Sequence, residues 1–494
     1  MKQLNIIILL LITPLLLSAQ ADSSNIKKFT LEEVIKLAKN QSPKALVAKH
    51  SFRANYWQWR SHKADFLPSL NLNGTLPNYN RSITKQFDSE LGKDRFYHQN
   101  ILSTDASLSI DQNIGFTGGK ISLVSRLDRI DYLDENKSTF LSRPLIVRYD
   151  QPITGNNKLR WNKRIEPKKY EAAKRKYVVD MEEVSQSAVN KFFSLALAQQ
   201  NLKISKMNYS NADTLYKISK GRYNIGTIAE NELLQMELSL LNADVKLNDA
   251  IVSFEENKIK LRSFLGFNES VNIELIISDE IPEFEVDYKK ALSQALENSP
   301  NITNFEIQLL EAEKRIAEER SQRGLNANLF AEVGLTKSSD NFSTVYVNPE
   351  NQQNVKIGIS LPILDWGRGR GRVKMAKSNL EMVKTEVEQS RVDFRQNILL
   401  DVMRFNLLDD QIRISAKADI IARNRYNVTK QRFLIGKINV LDLNISQKEK
   451  DEANTSYINI LKQYWSEYYK LRMTTLYDFE KDMPIEYDLK KLID

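Results

Sequence analysis

The chain of 494 residues is poor in side chains that do covalent chemistry. It has no cysteine, which excludes disulfides, thiolate catalysis and a lipid-bearing cysteine. Its three histidines, His50, His62 and His98, have no His or carboxylate partner at metal-ligand spacing and read as structural side chains. There is no catalytic constellation and no nucleotide motif, so neither an enzyme nor a cofactor or metal is expected. The lack of a Met or Cys cluster lends no support to metal-ion handling. What remains is electrostatics. Asp442 lies six residues beyond Gly436, with Arg432 and Lys437 flanking that glycine, and Glu232 lies six residues beyond Gly226. An acid so placed falls in the first turns of a following helix, where the dipole favours negative charge. The two cations are placed to pair across helices, in exposed contacts worth about 0–1 kcal/mol each.

These residues belong to two copies of one segment. Arg222-Tyr223-Asn224-Ile225-Gly226-Thr227-Ile228 recurs as Arg432-Phe433-Leu434-Ile435-Gly436-Lys437-Ile438, at a spacing of 210 residues. The same spacing relates Pro152 to Pro362 and Arg262 to Arg472. A gap-free match of this length is an internal repeat. Helical patterns flank both glycines: residues 158–222 and 228–264 in the first copy, 367–432 and 438–477 in the second. Pro167 is expected to kink or restart the first of them. Glycine supplies each reversal, because it takes left-handed backbone without steric cost. Each copy therefore predicts the tip of a long antiparallel helix pair. Leu234, Leu238, Leu241 and Val245 keep the 3.5-residue spacing of a coiled-coil seam.

A further helical pattern, residues 31–66 with a break at Pro43, recurs over 288–323 at a spacing of 257. Thr30 and Glu33 in front of it have capping-box spacing. The two offsets differ by 47, so the first copy carries 47 extra residues between Leu72 and Pro152. There the period changes to two. Ala106, Leu108 and Ile110 alternate with Ser107, Ser109 and Asp111, and Leu145, Val147 and Tyr149 alternate with Ile146, Arg148 and Asp150. Four strands are expected, near 69–76, 105–113, 120–129 and 143–153. A glycine turn at 115–119 and polar loops at 85–98 and 131–142 would join them. The second copy has two, near 327–336 and 355–364.

Residues 1–21 read as a secretory signal, with Lys2, an apolar run over 6–17 and Ala19-Gln20-Ala21. The run is too short to span a bilayer, so an exported chain without a transmembrane helix is expected. Lys and Arg number 71 against 63 acids, a net charge of +8, but the signs are interspersed. This reads as solvated helix faces, with no nucleic-acid partner. Length alone suggests about three domains. The repeat instead gives a first copy over 22–267, an irregular acidic linker over 268–287, a second copy over 288–480 and a tail over 481–494.

Leu361-Pro362-Ile363-Leu364-Asp365-Trp366-Gly367, running on to Arg372-Val373 and Ala376-Lys377, is similar to the strand-to-helix junction of the TolC family of outer-membrane efflux ducts. Leu37-Ala38 through Ser42-Pro43, and Ala295 through Ser299-Pro300, resemble that family's entry helices. The two glycine segments resemble its periplasmic tips. The likeness covers residues 30–479, with its motifs in order and duplicated. It implies a mainly α fold with a membrane β-sheet: long antiparallel coiled-coil hairpins plus strands contributed to a shared trimeric β-barrel. The location it implies is the outer membrane, with the helical part in the periplasm. The partners it implies are two further copies, a periplasmic adaptor, an inner-membrane pump of the RND or ABC class, and outer-membrane lipid. The function it implies is a passive exit duct for small molecules or secreted protein.

On that resemblance Asp442 is the candidate gate, a carboxylate ring at the entrance, with Arg432 and Lys437 beside it. Pro362, Asp365, Trp366 and Gly367 form the junction. Two departures stand out. Ile445 replaces the second acid of the family's pair, so the ring is thinner. The 47 extra residues leave two barrels open: 12 strands with a hairpin hung outside, or 18. Independently of the family, a lipid-embedded sheet of four to six strands leaves unpaired edges, and known barrels start at about eight strands. An oligomer is therefore expected. The alternative to a duct is a periplasm-spanning strut or adhesin, which needs only one anchor. Trp366, Tyr149 and Trp161 are candidates for an interfacial aromatic girdle, with core packing the alternative for Trp161. Arg368, Arg370, Arg372 and Lys374 form a basic collar.

Overall fold

The structure is a computed structural model that describes residues 27–88, 92–267, 273–278, 281–282, 284–435, 437–438 and 440–493. The expected signal segment and Gly436 lie outside these residues. The first copy runs β1 (Lys27–Phe29), α1 (Leu31–Gln41), α2 (Pro43–Ala64), β2 (Ser69–Asp88), β3 (Lys93–Asn113), β4 (Lys120–Tyr132), β5 (Lys137–Pro152), α3 (Lys158–Asn224) and α4 (Glu230–Leu265). A short strand β6 (Ile273–Leu275) follows. The second copy runs α5 (Tyr288–Asn298), α6 (Pro300–Arg323), β7 (Asn326–Ser339), β8 (Glu350–Ser360), α7 (Arg368–Leu434) and α8 (Val440–Thr475). Two-residue strands β9 (Tyr477–Asp478) and β10 (Met483–Pro484) follow, and a 3-10 turn over Leu489–Leu492 is the last described element. Helices α3 and α7 are both 67 residues long, about 100 Å at 1.5 Å per residue, and α4 and α8 are both 36. Among the described residues no helix is long and apolar enough to cross a membrane.

Local signals set the helix ends. The Thr30 N–H donates to Glu33 Oε2 at 2.9 Å and the Glu33 N–H to Thr30 Oγ1 at 3.4 Å, a complete capping box. Ser42-Pro43 and Ser299-Pro300 divide their helices at equivalent points, because proline starts a helix well and ends the one before it. Pro167 behaves otherwise. The expected restart is absent, and α3 continues through it. Ile165 and Ala172 are buried against Ile307 of α6, with Trp161 and Leu310 packed on the same cluster, and this burial offsets the lost hydrogen bond. Trp161 is thus a packing residue.

The chain divides into two compact units, each drawing on both copies. One comprises residues 46–183, 284–409 and 467–493. It holds a six-stranded antiparallel sheet of order β2-β3-β4-β5-β7-β8. The first copy supplies four strands and the second two, joined by the β5–β7 ladder from Phe140–Ser339 to Pro152–Asn328. The strands outrun the alternation that predicts them. Residues 85–98, expected as a loop, are mostly paired, with Asp88 opposite Lys93, and β4 and β5 shorten the second expected loop to 133–136. Strand β8 stops at Ser360 rather than reaching 364.

The other unit comprises residues 27–45, 184–282 and 410–466. It contains the ends of both long hairpins and the parallel pair β1–β6, in which Lys27 faces Ile273 and Phe29 faces Leu275. The expected irregular linker therefore contains a strand. Gln41 of α1 donates to the Leu265 carbonyl at the end of α4, at 3.2 Å.

Candidate functional site: a two-faced sheet and paired helical tips

The sheet has opposite chemistry on its two faces, and pairing register shows it row by row. One row reads Leu70, Ile110, Leu123, Val147 and Val333 across five strands. The adjacent row reads Ser69, Asp111, Ser122, Arg148, Glu332 and Asn354 across all six. The apolar row is exposed, as are Leu72 at 77% and Ile359 at 68%, whereas Ser122 and Glu332 on the polar face are buried. This inverts the burial of a water-soluble sheet and suits a wall with hydrocarbon outside and a polar interior.

The polar face carries a series of paired groups. Asp111 accepts from Asn71 at 2.8 Å and pairs with Lys120 at 3.1 Å. Arg126 bridges Asp128 at 2.7 Å and Asp105 at 3.6 Å. Arg148 donates to Glu332 at 2.9 Å, and Gln352 reaches the other carboxylate oxygen at 3.3 Å. Alternating charges along neighbouring strands neutralise one another, so the face is hydrophilic without a large single-sign field. The individual pairs were not foreseeable, since Arg148 and Glu332 are brought together only by the joining of the two repeats.

At the junction after β8, the Asp365 carboxylate accepts from the N–H groups of Gly367 and Gly369 at 2.9 and 2.7 Å and caps α7. Those two bonds hold its carboxyl below the usual carboxylate range. Trp366 has φ +53° and Gly367 φ +83°, so two successive left-handed residues turn the chain into the helix. Trp366 is 90% exposed, and Pro362 is exposed as well. Tyr149 is half-buried and donates to Gln151 at 2.7 Å. The basic collar divides. Arg368, Arg370 and Lys374 do not share one setting with Arg372: Arg368 and Lys374 are exposed, while Arg372 pairs with Glu319, which Arg315 also holds.

In the other unit the two tips pack together. The Thr227 N–H donates to the Arg222 carbonyl at 2.9 Å and the Lys437 N–H to the Arg432 carbonyl at 3.0 Å, the same closing bond in each copy. Gly226 has φ +72°. Phe433, Tyr426 and Leu443 form a small core with Leu215 and Ile438 against it. Arg222 lies over the Phe433 ring and donates to the Leu434 carbonyl at 3.4 Å. A groove of about 800 Å³ runs beside this core and brings Asp442, Lys437, Glu232 and Arg222 to one place. Asp442 and Glu232 both sit in the first turns of their helices. Arg432 is exposed and does not line the groove.

Residues 291–474 match the family described as outer membrane efflux protein. This stretch is similar to that family. Solved structures extend the likeness to the whole fold. The Campylobacter jejuni CmeC outer membrane channel superposes with a TM-score of 0.66 at 17% identity, covering 94% of this chain and 88% of that one. The Vibrio cholerae outer membrane protein VceC gives 0.61 at 14%, covering 92% and 97%. The open state of the Neisseria gonorrhoeae MtrE outer membrane channel gives 0.57 at 13%, covering 92% and 91%. No curated protein matches the chain in sequence. Family and fold together support an outer-membrane efflux channel with a periplasmic helical part, a passive protein rather than an enzyme.

One set of residues in this chain was barely marked in the sequence. Arg472 of α8, buried, donates to Glu182 of α3 at 2.8 Å and pairs with Asp478 of β9. Tyr487 donates to the other Glu182 oxygen at 3.2 Å, and Tyr468 donates to Glu480 at 2.9 Å. The network ties the C-terminal tail to α3 and α8. Only the recurrence of Arg262 as Arg472 pointed toward it.

Proposed function

We propose that the chain is one subunit of a trimeric exit duct: a β-barrel in the outer membrane continued by a helical tunnel. It would pass small molecules or secreted protein driven by an inner-membrane RND or ABC pump through a periplasmic adaptor. The observation that carries this reading is the two-faced sheet, built jointly by both repeats. A strut or adhesin with a simple anchor has no need for a polar face stocked with paired charges, nor for strands from each copy in one sheet. A wall around water needs both. The chain's chemistry fits a passive role, since transport through a pore asks only for a hydrated lining and a gate. The tip groove, with Asp442 beside Lys437, Glu232 and Arg222, is the proposed entrance.

The test is conductance of the purified, full-length oligomer in a planar bilayer. Discrete channel steps of uniform size support the duct. An oligomer that inserts and never conducts, including under applied voltage, points to the strut.

A further inference from the structure

We infer that all six strands of this chain enter the barrel wall, with β2 of one copy closing on β8 of the next, so that three copies form an 18-stranded barrel rather than the 12-stranded one of the resemblance. The inference rests on the duct reading for the number of copies. The content of the wall rests on the sheet itself.

The extra residues are spliced into the sheet, not hung on it. Repeat spacing equates β2 with β7, through Asn71 and Asn328, and the end of β5 with the residues just after β8, through Pro152 and Pro362. In the second copy β7 and β8 are direct neighbours. In the first copy β3 and β4 stand between β2 and β5, and each is paired on both sides. The β3–β4 hairpin cannot leave this wall without breaking two ladders, one to β2 and one to β5. The inserted strands also obey the same two-faced rule. Leu108, Ile110, Ile121 and Leu123 are exposed on the apolar side, while Asp111 and Ser122 join the polar row. A hairpin lying in water has no reason to present that face.

The two edges are complementary. Six is an even number, so β2 and β8 run in opposite directions and meet as an antiparallel pair between copies. Near the helix-proximal end β2 offers Leu70 and Leu72 and β8 offers Ile357 and Ile359 on the apolar side. Hydrocarbon does not tolerate an open edge, so in a membrane these two must be covered, and the matching occupant is a second copy of the chain. Barrels of 16–18 strands enclose an aqueous channel. The consequence is a wide pore in the membrane, with the flow-limiting constriction elsewhere.

The absence of native cysteine allows a direct test. Leu72→Cys and Ile357→Cys, and the neighbouring pair Leu70→Cys and Ile359→Cys, are introduced singly and together into the full-length chain. Outer membranes are oxidised and resolved without reductant. Electron cryo-microscopy of the unaltered oligomer counts strands and needs no variant. The expected result is interchain cross-linking up to trimers only when both cysteines of a pair are present, and 18 strands. A conducting oligomer with 12 strands and one hairpin outside overturns the inference and leaves the duct reading intact. A species that neither conducts nor cross-links overturns the duct reading, and the inference with it.

Discussion

At the scale of single residues, the tip glycine and the buried arginine are opposite cases. Gly226 was legible because its cause is local: a reversal between two helical patterns requires left-handed backbone, and φ there is +72°, with open space where a Cβ would stand. Sterics of neighbours do not forbid a side chain at that point; the backbone does. Gly226→Val is expected to destabilise the tip by roughly 1–3 kcal/mol, read as earlier hydrogen exchange around residues 222–230, while Gly371→Ala, with equally open space and no positive φ, leaves exchange unchanged. Arg472 was not legible, because Glu182 and Asp478 reach it only through the fold. Removing it strands a fully buried Glu182 carboxylate, so Arg472→Met should cost about 3–5 kcal/mol, measured by denaturant unfolding. The network also carries a pH dependence. Burial alone raises the Asp478 carboxyl, but Arg472, the Lys481 N–H and the Tyr468 hydroxyl outweigh it and hold it below its usual range. A lowered carboxylate stabilises the fold above its ordinary pKa and loses that contribution as pH falls through the folded value. Protease cleavage of the tail over 479–493 should accelerate on acidification, and Arg472→Met should weaken that pH dependence.

At the scale of elements, helices were read closely and strands only in part. Both 67-residue helices fall within about two residues of their sequence-derived limits, because caps, glycines and the repeat mark each end. Strands β2 and β3 continue past the alternating segment because a backbone ladder, once started, extends without needing a patterned face. The three-residue pair β1–β6 is too short to show a period at all. The inside-out character of the sheet could be read only as alternation; which face meets water is a tertiary fact. It yields a paired test on adjacent residues of β8. Val355 lies on the apolar side and Asn354 in the polar row. Val355→Arg should lower the yield of assembled oligomer in membranes, a charge on the lipid face costing about 2–4 kcal/mol near the midplane, whereas Asn354→Arg should leave assembly intact. Equal loss in both would mean that the faces are misassigned. A second test addresses the seam between repeats. A Cβ on Gly334 would lie 2.3 Å from the Leu145 carbonyl oxygen, at the bulge where β5 meets β7. Gly334→Val should therefore loosen the ladder that joins the copies, and the oligomer should dissociate at lower temperature in detergent.

At the scale of the whole molecule, the question is whether Asp442 gates or merely caps. On a single chain the two roles look alike: an exposed acid in the first turn of α8, next to the buried Leu443, is favoured by the helix dipole whatever else it does. Symmetry separates them. In the proposed trimer three copies of Asp442 would face one narrow entrance, and a ring of like charges in a confined pore acts on every passing ion, while three capped helix ends act on none. The Ile445 that replaces a second acid makes this ring the thinner kind, so its removal should not be compensated by a neighbour on the same helix face. Screening supplies the decisive variable. The Debye length is about 8 Å at physiological salt and about 30 Å at 0.01 M, so a charged entrance matters more as salt is lowered, and a helix cap with no role in conduction does not. Asp442→Ala should raise resting conductance and weaken block by multivalent cations, with both effects growing as salt is diluted. Glu232→Ala, the equivalent change in the other copy, serves as the comparison: the dipole account predicts a small loss of helix stability from either substitution and no change in current. Conductance and cation block that stay the same for Asp442→Ala at low salt would remove the gate and leave the cap.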